Sequence, residues 1–278
     1  MTSPTKPPVT SLCTHTLTSL RYRDADLVED LMGKKTFTDV MLMQILGRTP
    51  RGVDVRITDV VLIVLMEHGL TPSAIATRLI YMSAPESLQG AVSAGLLAVG
   101  SSFVGTMENC SALLDRITTA ADSAAEALSI VRHYKQTKSP VPGFGHHLHK
   151  PVDPRAYKLL EMGRAEAELT GDKIRALELL SNAVDTLAGR PITINATGAV
   201  AALLGEIGVP TAVMRGFAVI SRAAGLVAHI AEEQNRPSGR FIWDTIEQAI
   251  PFVGSIDEAK GKQASMPTKS TYRYSLKK

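Results

Sequence analysis

Residues 143 to 156, GFGHHLHKPVDPRA, gather three histidines, a lysine and an arginine into one short stretch opened by two glycines. An imidazole changes charge near neutral pH and can hold or move a proton, while a guanidinium offers a planar fork of donors that matches a carboxylate. Gly143 and Gly145 open backbone conformations closed to other residues and let a ligand approach the chain closely. Asp153 and Pro154 read as the N-cap and first turn of a helix, so the histidines belong to a loop that feeds a helix. An ordinary surface turn with solvated His147 and His149 fits the same residues. A metal site is less favoured, because His146, His147 and His149 alternate around the backbone and do not converge on one ion without other ligands.

The segments that must position this loop read as helices almost throughout. In DADLVEDLMG, Leu27, Val28, Leu31 and Met32 recur at helical spacing behind Asp24 as N-cap and ahead of Gly33 as a stop, predicting a helix over 24–32. Further helices are predicted in TFTDVMLMQILG, ITDVVLIVLMEHG, TPSAIATRLIYMSA, SLQGAVSAGLLAVG, SALLDRITTAADSAAEALSIVRHYK, DPRAYKLLEMGRAEAEL, KIRALELLSNAVDTL, ATGAVAALLGEIG and PTAVMRGFAVISRAAGLVAHIAEEQ. GAVSAGLLAVG and GAVAALLGEIG are apolar on every side and rich in small residues, which predicts burial in a layered core or a subunit interface. Strand character is confined to short runs such as RPITI, and no internal repeat is visible.

The chain has 278 residues, 45% hydrophobic and 21% charged, enough for one sizeable core or two unequal lobes. No apolar run approaches the roughly 18 residues of a membrane span, and MTSPTKPP lacks the apolar stretch of a secretory leader, so a cytoplasmic protein without membrane contact is expected. Cys13 and Cys110 are two isolated thiols and suggest neither a disulfide framework nor a zinc site. The net charge of +3 is concentrated in KGKQASMPTKSTYRYSLKK at the C-terminus, which reads as a solubilising tail rather than a nucleic-acid contact.

GFGHHLHKPVDPRA resembles the Gly-Phe-Gly-His…Asp-Pro-Arg-Ala signature of the citrate synthase superfamily, which includes citryl-CoA lyases. EHGLTPSAIATRL resembles the family's Asp-His-Gly-Leu segment, PITINATGAVAALLGEIGVP its Asn-x-Asp segment, and FAVISRAAGLVAHIAEEQNRP its last core helix with the trailing Arg-Pro. The resemblance spans roughly residues 17 to 245 and is to the short, lyase-like branch. It implies an all-α fold with a large helical domain and a small mobile one, the latter over approximately 116–190. Residues 1–16 would be a flexible tail and 246–278 a C-terminal extension. It also implies a homodimer, or a dimer of dimers, that uses a coenzyme A thioester as substrate and holds no tightly bound cofactor or metal.

Position by position, the resemblance makes His146 the histidine at the 2-oxo-acid carbonyl, able as a neutral imidazole to take the alcohol proton during cleavage. His68 becomes a substrate-binding histidine, and Arg155, Arg222 and Arg236 the three arginines that hold the acid's carboxylates. Gly143 and Gly145, with Lys138 and Lys150 beside them, fall where the family contacts coenzyme A. His229, on the same helix face as Arg222, reads as structural. Two catalytic positions depart from the family pattern: GSSFVGTMEN puts Phe103 where the enolate-binding histidine belongs, and NAT puts Thr197 where the proton-moving aspartate belongs. Phenylalanine donates no hydrogen bond and threonine is no acid or base near pH 7. Three readings follow: a carbon–carbon lyase of the citryl-CoA lyase type, with backbone amides near Ser101 and Ser102 at the enolate and Thr197, water or Glu108 handling the proton; a non-catalytic carboxylate-binding homologue with a regulatory role; or a thioester hydrolase on the same fold.

Overall fold

The computed structural model describes residues 7–100, 105–146 and 148–251, so Phe103, Ser101, Ser102, His147 and the basic tail lie outside the described residues. Eleven α-helices account for most of what is described: α1 Phe37–Leu46, α2 Gly52–Met66, α3 Pro72–Ser83, α4 Leu88–Leu97, α5 Gly105–Thr119, α6 Ser123–Gln136, α7 Pro154–Ala165, α8 Asp172–Ala188, α9 Ala196–Glu206, α10 Met214–Asn235 and α11 Gly239–Ala249. Contacts divide the chain into Met1–Gly239 and Arg240–Lys278.

Helix starts follow local chemistry. Thr36 and Asp39 form a reciprocal capping box at α1, Thr71 caps α3 ahead of Pro72, and Asp153 and Asn195 cap α7 and α9. The core centres on α9, which packs against α5, α7 and α8 and buries Ala199, Val200, Ala201, Ala202, Leu203 and Leu204 completely. Its small residues let three neighbours come close, as the all-round apolar pattern predicts. The equally apolar α4 is different: it buries Ala91 and Gly95 while Leu88 and Leu97 stay exposed.

Several expectations need correction. The stretch 24–32 is not one α-helix. Ala25–Asp26 pairs as strand β3 with β2 Leu20–Tyr22, which pairs with β1 Cys13–His15, and only Leu27–Leu31 winds, as a π-helical turn capped by Asp26 rather than Asp24. Strand pairing thus starts inside the stretch read as an N-terminal tail. The predicted single run over 111–135 breaks into α5 and α6, because the Asp122 carboxylate caps Ala124 and Ala125 and starts a new helix. In RPITI, Ile194 forms one isolated bridge with Phe144. Helix α11, not anticipated, carries an Arg240–Asp244 ion pair and the Arg240 guanidinium 4.8 Å from the Trp243 ring centre.

Among the described residues, Thr211–Asn235 is long and apolar enough to cross a membrane by length and composition, which corrects the expectation that no apolar run approaches that length. It packs against α2, α3 and α4 and carries His229 and Glu233 into the interior, the behaviour of a core helix.

Candidate active site

A cleft of about 1010 Å³ opens where the α2–α3 turn, the GFGH loop and the starts of α7 and α9 meet α10. Gly143 and Gly145 both have left-handed backbones, φ 87° and 81°. At Gly143 a Cβ would meet the Cys110 Sγ at 2.7 Å and the Gly198 Cα at 3.0 Å, so the loop lies backbone to backbone on the first turn of α9. Gly143 O accepts the Asn195 N–H at 3.0 Å, and the Asn195 side-chain amide donates to Gly145 O at 3.0 Å. Burial pushes the Cys110 thiol up to about 12, so it packs as an inert group under the loop.

This loop delivers His146 to the cleft. Its Nδ1 accepts the backbone N–H groups of Leu148 at 3.1 Å and His149 at 3.0 Å, so the ring proton resides on Nε2. The Arg155 Nη2 lies 3.2 Å from that Nε2, and two donors so close together suit a shared oxygen acceptor. In this arrangement His146 donates a hydrogen bond; taking up the alcohol proton would require breaking the two bonds at Nδ1. The His149 ring stacks 4.5 Å from the His146 ring, so His149, read as a solvated residue, instead backs the site histidine.

Arg155 is aimed by Asp153. The fully buried Asp153 carboxylate accepts the Arg155 Nε at 3.0 Å, its Nη2 at 2.9 Å and its backbone N–H at 3.0 Å, and also takes the Ala196 N–H at 3.2 Å. Burial alone would raise the Asp153 carboxyl, but these bonds from Arg155 outweigh it and hold the group below the usual carboxylate range. The helix cap read from the sequence is thus also the counter-charge that orients a site arginine.

On the opposite elements, His68 stands in the exposed α2–α3 turn with its ring 6.3 Å from that of His146. The Glu67 Oε1 accepts the His68 and Gly69 N–H groups, each at 2.7 Å, and fixes this turn. Arg222 reaches in from α10. Burial lowers its guanidinium from the ordinary value, Glu67 opposes that shift from 3.8 Å, and the buried Nη1 has no hydrogen-bond partner among the described residues. An unpaired buried guanidinium is costly unless an anion completes it.

At the start of α9, Thr197 donates to the Asn195 Oδ1 at 2.7 Å and lies 3.0 Å from the Thr106 hydroxyl, giving a neutral hydroxyl cluster. Glu108 is not at the cleft: it pairs with Arg215. Lys138 and Lys150 flank the loop without lining the cleft, and Arg236 sits exposed at the end of α10, outside it. His68, Gly143, Gly145, His146, Arg155, Thr197 and Arg222 are brought together. Thr106, Asn195, Glu67 and the orienting role of Asp153 escaped the sequence reading; the Asp-x-Arg spacing at a helix start was the available signal for the last. No cluster of metal-ligating side chains occurs among the described residues.

A helical core built around an apolar central helix, with a glycine-hinged histidine loop docked on it, defines a citrate-synthase-like all-α fold. The family Citrate synthase, C-terminal domain, matches residues 9–243, and the chain belongs to the citrate synthase family. The citryl-CoA lyase of Hydrogenobacter thermophilus superposes with a TM-score of 0.80 at 29% identity, covering 90% of this chain and 96% of that one. The ATP citrate lyase of Methanothrix soehngenii, solved with citrate and coenzyme A, has the same fold with a TM-score of 0.75 at 17% identity, covering 95% of this chain and 44% of that one. The ATP-citrate synthase subunit 1 of Sordaria macrospora is 24% identical over 211 residues, which is 70% of this chain but 31% of that protein. The chain therefore spans about a third of the length of that relative.

Proposed function

We propose that the protein is a carbon–carbon lyase of the citryl-CoA lyase type, cleaving a 3-hydroxy-acyl-CoA thioester into a 2-oxo acid and an acyl-CoA, or forming it from them. The observation that carries the proposal is the Arg222 guanidinium, buried at the cleft with its Nη1 unsatisfied, in the same cavity as Arg155 and His146. Guanidinium groups held by buried structure, with an imidazole Nε2–H between them and the substrate, suit a carboxylate next to a carbonyl or hydroxyl oxygen.

In the joining direction the thioester methyl loses a proton, and the resulting enolate carbon attacks the oxo carbon. The carbonyl electron pair moves onto oxygen, where the His146 Nε2–H and Arg155 stabilise the charge until a proton from cleft water neutralises it. Cleavage is the reverse: the alcohol gives its proton to cleft water, the carbon–carbon bond breaks, and its electron pair enters the enolate, whose carbon takes a proton from water. With Thr197 in place of an aspartate, water held on the Thr106 and Thr197 hydroxyls carries the methyl proton. The GFGH loop and the apolar wall of Val64, Leu65, Val99 and Val141 receive the acyl-CoA arm. A second copy of the chain covers the exposed side of α4 and brings Arg236 to a neighbouring cleft, while the small lobe near 116–190 closes over the ligands.

The neutral Thr106–Thr197 cluster also favours a second reading, a binding homologue without turnover. Incubating purified protein with citryl-CoA and following acetyl-CoA and oxaloacetate by mass spectrometry separates the two. Cleavage that His146→Ala lowers by about 10² to 10⁴ supports the lyase. Absence of cleavage in a folded protein that binds citrate supports the binding homologue.

A further inference from the structure

Behind the cleft wall runs a chain of ionisable groups to which the lyase reading gives no task. The Oε2 of Glu67 lies 2.9 Å from the His229 Nε2, short of full hydrogen-bond alignment. The His229 Nδ1 accepts the Arg78 Nε–H at 3.0 Å, which leaves the proton of a neutral ring on the nitrogen facing Glu67. Arg78 is in turn held by the Glu233 Oε2 at 2.8 Å and by Glu232. Glu233 accepts the Ser238 N–H and hydroxyl and the Gly239 N–H, each at 2.7 Å, so it clamps the turn that follows Arg236. Arg78, His229 and Glu233 are 3%, 9% and 5% exposed.

A buried charged chain of this kind is seldom more stabilising than well-packed apolar residues of similar size, so its use is to fix geometry. Its cleft end does so at two points. Glu67 holds the backbone of the His68 turn through the His68 and Gly69 N–H groups, and the same oxygen stands 3.8 Å from the Arg222 Nη1. Glu67 is itself half-exposed and is restrained from behind by His229, whose ring orientation Arg78 sets.

We propose that Glu67, His229 and Arg78 form a positioning relay that holds the His68 turn and the Arg222 guanidinium in register at the cleft and ties both to the turn carrying Arg236. None of these three residues need touch substrate. The functional consequence rests on the carboxylate-binding reading above; the geometric one does not.

Two readouts test it: the imidazole ¹H–¹³C resonances of the ligand-free protein, with His68 assigned through His68→Gln, and citrate affinity by calorimetry. His229→Leu should displace the His68 resonance and weaken citrate binding on the order of tenfold. His229→Gln, which keeps a donor toward Glu67, should restore most of both. Where His229→Leu does not fold, Glu67→Gln, altered at a half-exposed side chain, takes its place with the same expected direction. An unmoved His68 resonance together with unchanged citrate affinity in the folded variant overturns the relay. If the unaltered protein binds no citrate, the carboxylate reading fails by itself, and the His68 resonance alone then decides: moved, the relay stands; unmoved, it falls.

Discussion

The two walls of the cleft are built on opposite principles. On the GFGH and α10 side, charged groups face counter-charges: the buried Asp153 forks Arg155, and the half-exposed Glu67 stands between the His68 turn and Arg222. On the α5 and α9 side, Thr106, Thr197 and Asn195 satisfy one another through neutral hydrogen bonds of 2.7 to 3.0 Å, with no ionised group among them. Under the proposed function, the first wall is prepared for an anion and costs stability until one arrives, whereas the second is neutral and costs little. On that proposal, affinity for the acid half of a ligand and competence in proton transfer are separable.

The largest effect that would break this comparison is at Arg222. Arg222→Leu should lower citrate affinity by about 2–5 kcal/mol in calorimetry, the cost of losing one partner of a desolvated charge pair. It should also raise the melting temperature by a few degrees, because a buried, half-compensated guanidinium is replaced by an apolar group. A loss of both affinity and stability would make Arg222 a structural ion-pair member instead.

Thr197→Asp sharpens the comparison from the other side. A carboxylate in the first turn of α9 gains from the helix dipole and supplies a base for the thioester methyl proton, so condensation of acetyl-CoA with oxaloacetate, followed by mass spectrometry, should rise by about 10². Unchanged turnover would locate the limit elsewhere.

Gly143→Ala should destabilise the chain by about 1–3 kcal/mol in urea titration from its left-handed backbone alone, with the contacts to Cys110 and Gly198 adding to that. Gly145→Ala, which meets nothing within 4 Å, should cost less.

The smallest effect concerns pH. The Asp153 carboxyl is held below its unfolded value of about 3.9, so its stabilising contribution is present above that pH and is lost as the pH falls through the lower folded value. Asp153→Asn should flatten the acid limb of stability against pH below about 4, measured by circular dichroism. An unchanged slope would mean that Arg155 is oriented by other contacts.

Much of this arrangement was legible in the residues. Apolar periodicity marked out most of the helices, Asp153-Pro154 marked the start of α7, and the GFGH signature led to the loop that lines the cleft. The residues around Asp24 were misread because a 3.6-residue apolar period over so short a run does not distinguish an α-helix from a strand followed by a π-helical turn. Glu108, close in sequence to the Thr106 cluster, was a reasonable proton carrier until α10 set Arg215 against it.

What the sequence determined by itself is chiefly local: caps, glycine-dependent turns, the all-round apolar character of α9, and the family to which the chain belongs. What tertiary structure alone decided is which groups neutralise which. His229 faces Glu67 across 162 positions of sequence, and Arg78 reaches Glu233 across 155. The tautomer of His146 follows from backbone N–H groups whose direction only the folded loop sets. Charge pairing and proton placement act over a few ångströms in space and leave no period along the chain, which is why they appear only once the helices are packed.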